Sequence, residues 1–495
     1  MGRRHSPDAD ARAVLRSPMT QQLSARQHFT ALLVPKCKRF QQKWREGMTS
    51  IVEPIASAAQ QTVPPGASRE KQVATRSMTI ALGGGVALEW YDWTVYGMMA
   101  SFLSPLFFPS SDPTTSLLAA LAVYGAGFFA RPVGAAVLGP IADRVSHKRV
   151  MMISITAMAL CSLLISVLPG YSELGVAAAV ILLLVRLIQG LATGAEAGVA
   201  NSIAIELAPP GKEGQYLGLI SGTFIQLGVF ASSLVAFLVS ASVAPETMHG
   251  WAWRLPFAFG GALGLLIIYL RSKLPETLIK HAMHRDELSR TQETTGDVWK
   301  TLWSVRLSLL AVILVVGAVQ IANYAWNAGL PNLANGVFKE NSTWVYGITT
   351  LMGLIWIVTA PLVGAFADKI RPSRAFTLLR LLLVACFFLT LAYSEKSIST
   401  FFFVMVFGGA IVGFNMALYN FIATTLMPRA VRTTGIAVGY ALGVSLFGGT
   451  SPYLLVWLQH AQMAWMFPVY GSVVAVLSVA IYHVAKKRGH VYIGE

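Results

Sequence analysis

The sequence predicts an all-α membrane protein: twelve transmembrane helices in two six-helix bundles, with both termini cytoplasmic. Three observations predict it. Hydrophobic residues make up 55% of the 495-residue chain and charged residues only 12%, about half the charged share of a soluble domain. Apolar runs long enough to cross ~30 Å of hydrocarbon recur from about Met78 onward. Lys and Arg favour alternate loops, the asymmetry that orients a multispanning chain during insertion.

Residues 1–77 are polar and basic and read as a disordered cytoplasmic tail. The apolar patch Ala31–Pro35 is too short for a signal segment, and Met48 is a plausible alternative start. Six apolar runs follow, at about 79–101, 117–139, 150–168, 175–203, 216–240 and 252–270, forming an amino-terminal bundle over 78–270. A charged, partly amphipathic cytoplasmic linker covers 271–306. Six more runs, at about 307–329, 344–366, 375–393, 399–422, 435–458 and 466–484, form a carboxyl-terminal bundle over 307–485, with a short tail at 486–495.

Charge placement supplies the orientation. Counting loops from the first span, the odd-numbered ones hold only Lys339 and Lys396, and four arginines lie in or at the ends of spans: Arg131, Arg186, Arg254 and Arg380. The rest of the 38 Lys and Arg lie in the tails and even-numbered loops, so the net charge of +15 reports topology and anionic headgroups, not nucleic acid. Cys37, Cys161 and Cys386 are too scattered for a disulfide framework, and no metal-ligand spacing occurs. Asn341-Ser342-Thr343 forms a sequon on the outer side. No Gly-x-x-x-x-Gly-Lys-Ser/Thr segment is present, which excludes a built-in nucleotide motor of that type.

Two stretches repeat between the halves. Gly139-PIADRVSHKR-Val150 follows span 2 and Gly364-AFADKIRPSR-Ala375 follows span 8; NSIAIELAP at 201–209 matches NFIATTLMP at 420–428 at five of nine positions. Parallel repeats of this sort build one large class of secondary transporters.

Polar residues inside the spans mark the chemistry. Glu89 and Asp92 sit three apart in span 1, on one helical face continued by Gly85 and Tyr96. Each carboxylate at membrane depth costs roughly 2.5–3.5 kcal/mol, so the pair requires a protected, useful setting. Span 2 adds Arg131, and Arg186, Gln189, Thr193 and Glu196 share one face of span 4. Glu89, Asp92 or Glu196, with Asp92 preferred, is expected to take up a proton against Arg131 or Arg186. Span 7 carries a neutral stripe of Gln320, Asn323, Tyr324 and Asn327, and span 10 carries Asn415 and Tyr419. Amides and phenols supply donors and acceptors without a charge. In the repeated loops, Gly139, Asp143, Arg144 and Arg149, with Gly364, Asp368, Arg371 and Arg374, form a candidate cytoplasmic latch.

Taken with the signature Gly-x-x-x-Asp-Arg-x-x-x-Lys-Arg at 139–149, the chain resembles the major facilitator superfamily. More narrowly it resembles the metabolite:proton symporter family. Glu89-Trp-Tyr-Asp92, Phe128-Phe-Ala-Arg131-Pro132-x-Gly134, Arg186-Leu-Ile-Gln189-Gly190 through Glu196, Trp253-Arg254-Leu-Pro256-Phe257 and Arg271-x-x-Leu-Pro-Glu276-Thr277 carry that likeness over about 78–485. Ser146, His147 and Ala195 depart from the usual pattern. The resemblance implies spans 1, 4, 7 and 10 lining a central cavity, with cargoes such as α-ketoglutarate, citrate, shikimate, proline or betaine.

The expected function is proton-driven import of a small polar metabolite by alternating access, as a monomer, with the proton as coupling ion and no other cofactor or metal. Cavity arginines favour a di- or tricarboxylate. A zwitterion such as proline or betaine, or a shikimate-like acid, is the rival cargo. A non-transporting sensor is the rival class, and uniport or exchange the rival mode. An enzyme is not expected, since no nucleophile or metal cluster is visible. A bacterial inner membrane is the expected location.

Overall fold

Long helices form wherever the sequence runs apolar, because a backbone in hydrocarbon must satisfy its own N–H and C=O groups. A computed structural model describes residues 69–144, 147–194, 222–272, 295–367, 372–393, 397–428 and 431–492. The chain divides into Met1–Val73 and Ala74–Glu495, and the packing described here belongs to the second unit. In the amino half the principal helices are α1 (Arg69–Phe107), α2 (Pro113–Arg144), α3 (His147–Val167), α4 (Val176–Thr193), α5 (Phe224–Ser242) and α6 (Arg254–Ser272). The carboxyl half contributes α7 (Arg306–Tyr324), α8 (Ser342–Ala367), α9 (Pro372–Ala392), α10 (Gly409–Thr425), α11 (Arg432–Gly443) and α12 (Met466–Lys487).

Among the described residues, eleven helical stretches, from Pro113–Val137 to Met466–Lys487, are long and apolar enough to cross a membrane. They coincide with the second to twelfth apolar runs of the sequence. α1 is not among them, because Glu89, Asp92 and its tyrosines and tryptophans lower its hydropathy. It is also the helix that least needs to face lipid: residues 88–100 are all buried. By contrast, α6 exposes Leu255, Phe259 and Leu266, and α12 exposes Val473 and Leu477, the apolar faces expected against lipid tails.

Among the described residues, three helices of the carboxyl half carry π turns. α7 continues through Ala325–Gly329, Leu330–Asn332 and Leu333–Val337, so its membrane-length stretch reaches Val337 instead of the expected 329. α10 is preceded by Ile398–Phe403 and the π turn Val404–Gly408, and α11 continues through Val444–Gly448 into Ser451–His460. A π turn leaves a carbonyl exposed to new partners; here Val404 O accepts from Trp326 Nε1 at 3.1 Å. Within the expected linker, Thr295–Ser304 is a short helix that buries Leu302 against Val305 and Val431 and exposes Trp303.

Within the amino half, α2 packs on α4 and α3 on α6; within the carboxyl half, α7 packs on α10, α11 and α12, and α9 on α10 and α12. Across the halves, α2 meets α11 and α5 meets α8. Side chains tie that seam together. Ser445 Oγ donates to Phe128 O at 2.7 Å, Tyr346 Oη to Met98 O at 3.0 Å and Thr343 Oγ1 to Ser240 O at 3.0 Å. Asn332, beyond the first π turn of α7, inserts its carboxamide into α1: Oδ1 accepts from Ser101 N at 2.9 Å while Nδ2 donates to Gly97 O. Gly97 O and Ser101 N are the two atoms that an ordinary i→i+4 bond of α1 would join.

Candidate functional site

Two ion pairs pin α1 to its neighbours. Glu89 Oε1 lies 3.2 Å from Arg131 Nη2 of α2, and Asp92 Oδ2 lies 3.0 Å from Arg186 Nη1 of α4. All four groups are buried. The three-residue spacing on α1 sets the carboxylates nearly one turn apart, and glycines bring α2 close enough to α4 for both arginines to reach them. A Cβ at Gly190 would collide with Gly127 O, and one at Gly134 with Leu191 O.

Asp92 collects further donors. Gln189 Nε2 reaches Oδ2 at 2.8 Å, and Ser162 Oγ of α3 donates to Oδ1. Gln189 Oε1 accepts from Arg186 Nη1 at 2.6 Å, which fixes the orientation of that amide. Aromatic rings cover the flat faces of both arginines. Arg131 lies over Trp93 and Phe128, at 4.2 and 4.7 Å, and Arg186 over Tyr96 and Trp93, at 3.8 and 5.1 Å. Desolvated contacts of this kind contribute ~2 kcal/mol each.

The carboxyl half enters through Tyr324 of α7. Its ring stacks on Trp90 at 6.0 Å and meets Tyr124 and Phe128 edge-on at 6.2 and 4.9 Å. The amides behind it form a chain: Asn327 Nδ2 donates to Asn323 Oδ1 and Asn323 Nδ2 to Gln320 Oε1, each at 2.9 Å. Gln320 and Tyr324 both border Gly448.

Polar atoms left over in this cluster are mostly donors. Arg131 Nε, Arg186 Nε and Nη2, Trp93 Nε1 and Gln320 Nε2 have no hydrogen-bond partner among the described residues. The hydroxyls of Tyr124 and Tyr324 and the acceptor Asn327 Oδ1 are in the same condition. Buried donors without partners are costly, and here they gather around two cations.

The remaining expected residues sit elsewhere or serve other contacts. Asn415 donates to Leu379 O and Ile411 O, at 3.0 and 3.1 Å, and so joins α10 to α9. Tyr419 lies beside Tyr440 of α11 and within electrostatic reach of Glu89. Thr193 donates to Gly190 O. Gly139, Asp143 and Arg144 belong to the last turns of α2, and Gly364 to the last turn of α8; Arg149 and Arg374 are exposed at the starts of α3 and α9. Glu196, Asp368 and Arg371 lie outside the described residues. Arg380, in α9, is buried away from the ion pairs: Nη2 donates to Val315 O at 2.5 Å and the guanidinium lies over Phe376 at 5.1 Å. Asn341, of the sequon, caps α8 by accepting from Thr343 N at 2.9 Å.

Sequence reasoning passed over Ser162, Trp90, Trp93, Tyr124 and Asn332. A signal existed for Tyr124, which precedes Phe128 and Arg131 at offsets of four and seven on one face of α2. Ser162 offered none, since single serines are common in apolar helices.

Membrane-length helices that meet around paired charges, amides and aromatic rings make a polar site inside an apolar shell, the architecture of a secondary transporter. Residues 82–452 match the Major Facilitator Superfamily. The chain is 29% identical to an alpha-ketoglutarate permease of Escherichia coli (strain K12), over 83% of this chain and 93% of that protein. It is 30% identical to a citrate-proton symporter of Klebsiella pneumoniae, over 75% and 82% of the two chains, and 30% identical to a putative proline/betaine transporter of Staphylococcus haemolyticus (strain JCSC1435), over 83% and 88%. A crystal structure of a D-xylose-proton symporter shares the fold, with a TM-score of 0.66 and 16% identity over 82% of this chain and 97% of that one. This protein therefore belongs to the Major Facilitator Superfamily and, within it, to the metabolite:proton symporter family.

Proposed function

We propose that this protein is a proton-coupled symporter that imports a small di- or tricarboxylate, such as α-ketoglutarate or citrate, by alternating access. The observation that carries the cargo class is the imbalance of unmatched polar atoms around Arg131 and Arg186. Among the described residues, obligate donors in this cluster outnumber obligate acceptors five to one, which suits a fully ionised carboxylate cargo. A betaine-like cation would need open aromatic faces. Those of Trp93, Tyr96 and Phe128 carry arginines, and Trp90 and Tyr324 stack on each other.

In this reading α1 is the first of twelve spans, the six-helix halves rock about the seam, and one monomer suffices. Positive-inside charge places both termini in the cytoplasm of a bacterial inner-membrane protein. The end carrying the α1–α2 loop then faces outward, and Asn332 and Tyr346 close that end. Asp92 carries the proton, with Glu89 and Glu196 as further candidates. Arg131, Arg186, Gln189, Tyr96, Tyr324 and the amides of Gln320, Asn323 and Asn327 form the cargo site, bordered by Asn415 and Tyr419. The loops around Gly139, Asp143, Arg144 and Arg149, and around Gly364, Asp368 and Arg374, latch the cytoplasmic side.

Uptake by proteoliposomes under an inward proton gradient tests this. α-Ketoglutarate or citrate should accumulate, proline and betaine should not compete, and an uncoupler should abolish accumulation. Preferential uptake of betaine would overturn the carboxylate reading. Uptake indifferent to the gradient would overturn symport in favour of uniport or exchange.

A further inference from the structure

We infer that Ser162 positions the coupling proton, which binds Asp92 on Oδ1 and not on Oδ2. The inference rests on the proton symport proposed above. It turns on the different neighbours of the two carboxylate oxygens. Oδ2 faces Arg186 Nη1 at 3.0 Å and Gln189 Nε2 at 2.8 Å. An arginine and an amide nitrogen are obligate donors. The Gln189 amide cannot turn over to offer its oxygen, because Oε1 is already engaged with Arg186 Nη1 at 2.6 Å. A proton on Oδ2 would therefore meet donors and have no acceptor.

Oδ1 faces the Ser162 hydroxyl. A hydroxyl donates or accepts according to its rotation, so Ser162 is the one of the three partners that can bond to Asp92 in both protonation states. With Asp92 ionised, Ser162 Oγ–H donates to Oδ1. When a proton arrives, an O–H bond forms at Oδ1 and donates to a lone pair of Ser162 Oγ. The serine's own O–H then turns to a carbonyl of the preceding turn of α3, that of Met158 or Ala159. Ser166 already bonds in this way to Leu163 O at 2.7 Å. Nothing but the proton enters or leaves, and release reverses the steps.

Among the described residues, the titratable and charged groups near Asp92 include Glu89, Tyr91 and Tyr96 on α1, Tyr124 and Arg131 on α2, Cys161 on α3 and Arg186 on α4. Among the described residues Arg186 is the one of these that hydrogen-bonds to Asp92. Ser162 acts through Asp92, to which its hydroxyl bonds. It is a positioning residue, and α3 enters the site through it.

The test uses the full-length protein in lipid. In pH-induced infrared difference spectra, the C=O stretch of a protonated carboxyl should appear in wild type and vanish in Asp92→Asn. In Ser162→Ala that band should move to higher frequency, because the acid has lost its acceptor. In uptake assays the alkaline midpoint of the pH profile should rise by about one unit in Ser162→Ala, since the charge-assisted bond lost by the anion is stronger than the neutral bond lost by the acid. Ser162→Thr should keep the wild-type midpoint, and Ser162→Val, which differs from it mainly by a hydroxyl, should follow Ala. That last pair decides the matter if Ser162→Ala does not reach the membrane. A band unmoved in Ser162→Ala, or Val and Thr behaving alike, overturns the inference. A band that survives Asp92→Asn while wild-type uptake remains proton-driven also overturns it, and leaves symport standing. Wild-type uptake that ignores pH would instead defeat the symport reading itself.

Discussion

Arg131 and Arg186 each have a carboxylate at the edge of the guanidinium and an aromatic ring on its face, which answers both the charge and the flat surface inside a membrane bundle. Removing one member of a buried pair leaves the other charge stranded, at a cost of about 3–5 kcal/mol. Arg131→Leu should accordingly lower the thermal unfolding temperature of the purified protein sharply. Glu89→Gln combined with Arg131→Met should recover most of the loss, since two neutral groups of similar size carry no stranded charge. A double variant no more stable than the single one would show that the guanidinium holds α2 through its aromatic contacts and not through its charge. At this scale the four charged residues were legible in the sequence, because a charge in an apolar run is conspicuous. Their pairing was not: nothing in the sequence says that Glu89 meets Arg131 while Asp92 meets Arg186. Nor does it say that Ser162 completes the second pair.

Helices in this protein meet through devices that depend on where a turn places a side chain. Asn332 shows the principle. Its carboxamide bonds to Gly97 O and Ser101 N, the pair that α1 can otherwise join within its own ladder. When the halves part, α1 can close that bond for itself. The latch then opens without leaving a main-chain group unsatisfied, and Asn332 can keep its second bond, to Ala328 O at 2.8 Å. Losing two hydrogen bonds and regaining one within α1 leaves a net of about 1 kcal/mol, which favours the closed form by about 5-fold. Asn332→Leu should shift the population toward the form open at this end, read as a slower cross-link between cysteines placed on α1 and α7. An unchanged cross-linking rate would reduce Asn332 to a packing residue. The regular helical stripe of span 7 predicts an end at 329. The π turns carry the helix on to Val337 and bring Asn332 to α1, and a pattern search at a fixed period does not see them.

If the protein works by alternating access, as proposed above, the α1–α7 contact breaks in every cycle. The chain offers a direct lock: a Cβ at Gly336 would lie 3.5 Å from Ser101 Cβ, within the range that a disulfide bridges. With Cys37, Cys161 and Cys386 replaced, Ser101→Cys with Gly336→Cys should oxidise readily, lose uptake nearly completely, and regain it on reduction. Full uptake in the oxidised double variant would mean that this end of the molecule does not open during transport.

The sequence by itself determined that the chain lives in a membrane, where most spans begin and end, and which helices carry the ionisable groups. Hydrophobic transfer and helix closure are local properties, set by runs of some twenty residues. Only the tertiary structure decided which acid meets which base, that two cations collect an excess of unmatched donors, and that α1 is enclosed by its neighbours and not by lipid. Those facts depend on how helices far apart in the chain are brought together. At the amino-half seam, glycines let α2 and α4 approach until Arg131 and Arg186 share the rings of α1. Packing of that kind follows from shape at contact, which no one-dimensional period encodes.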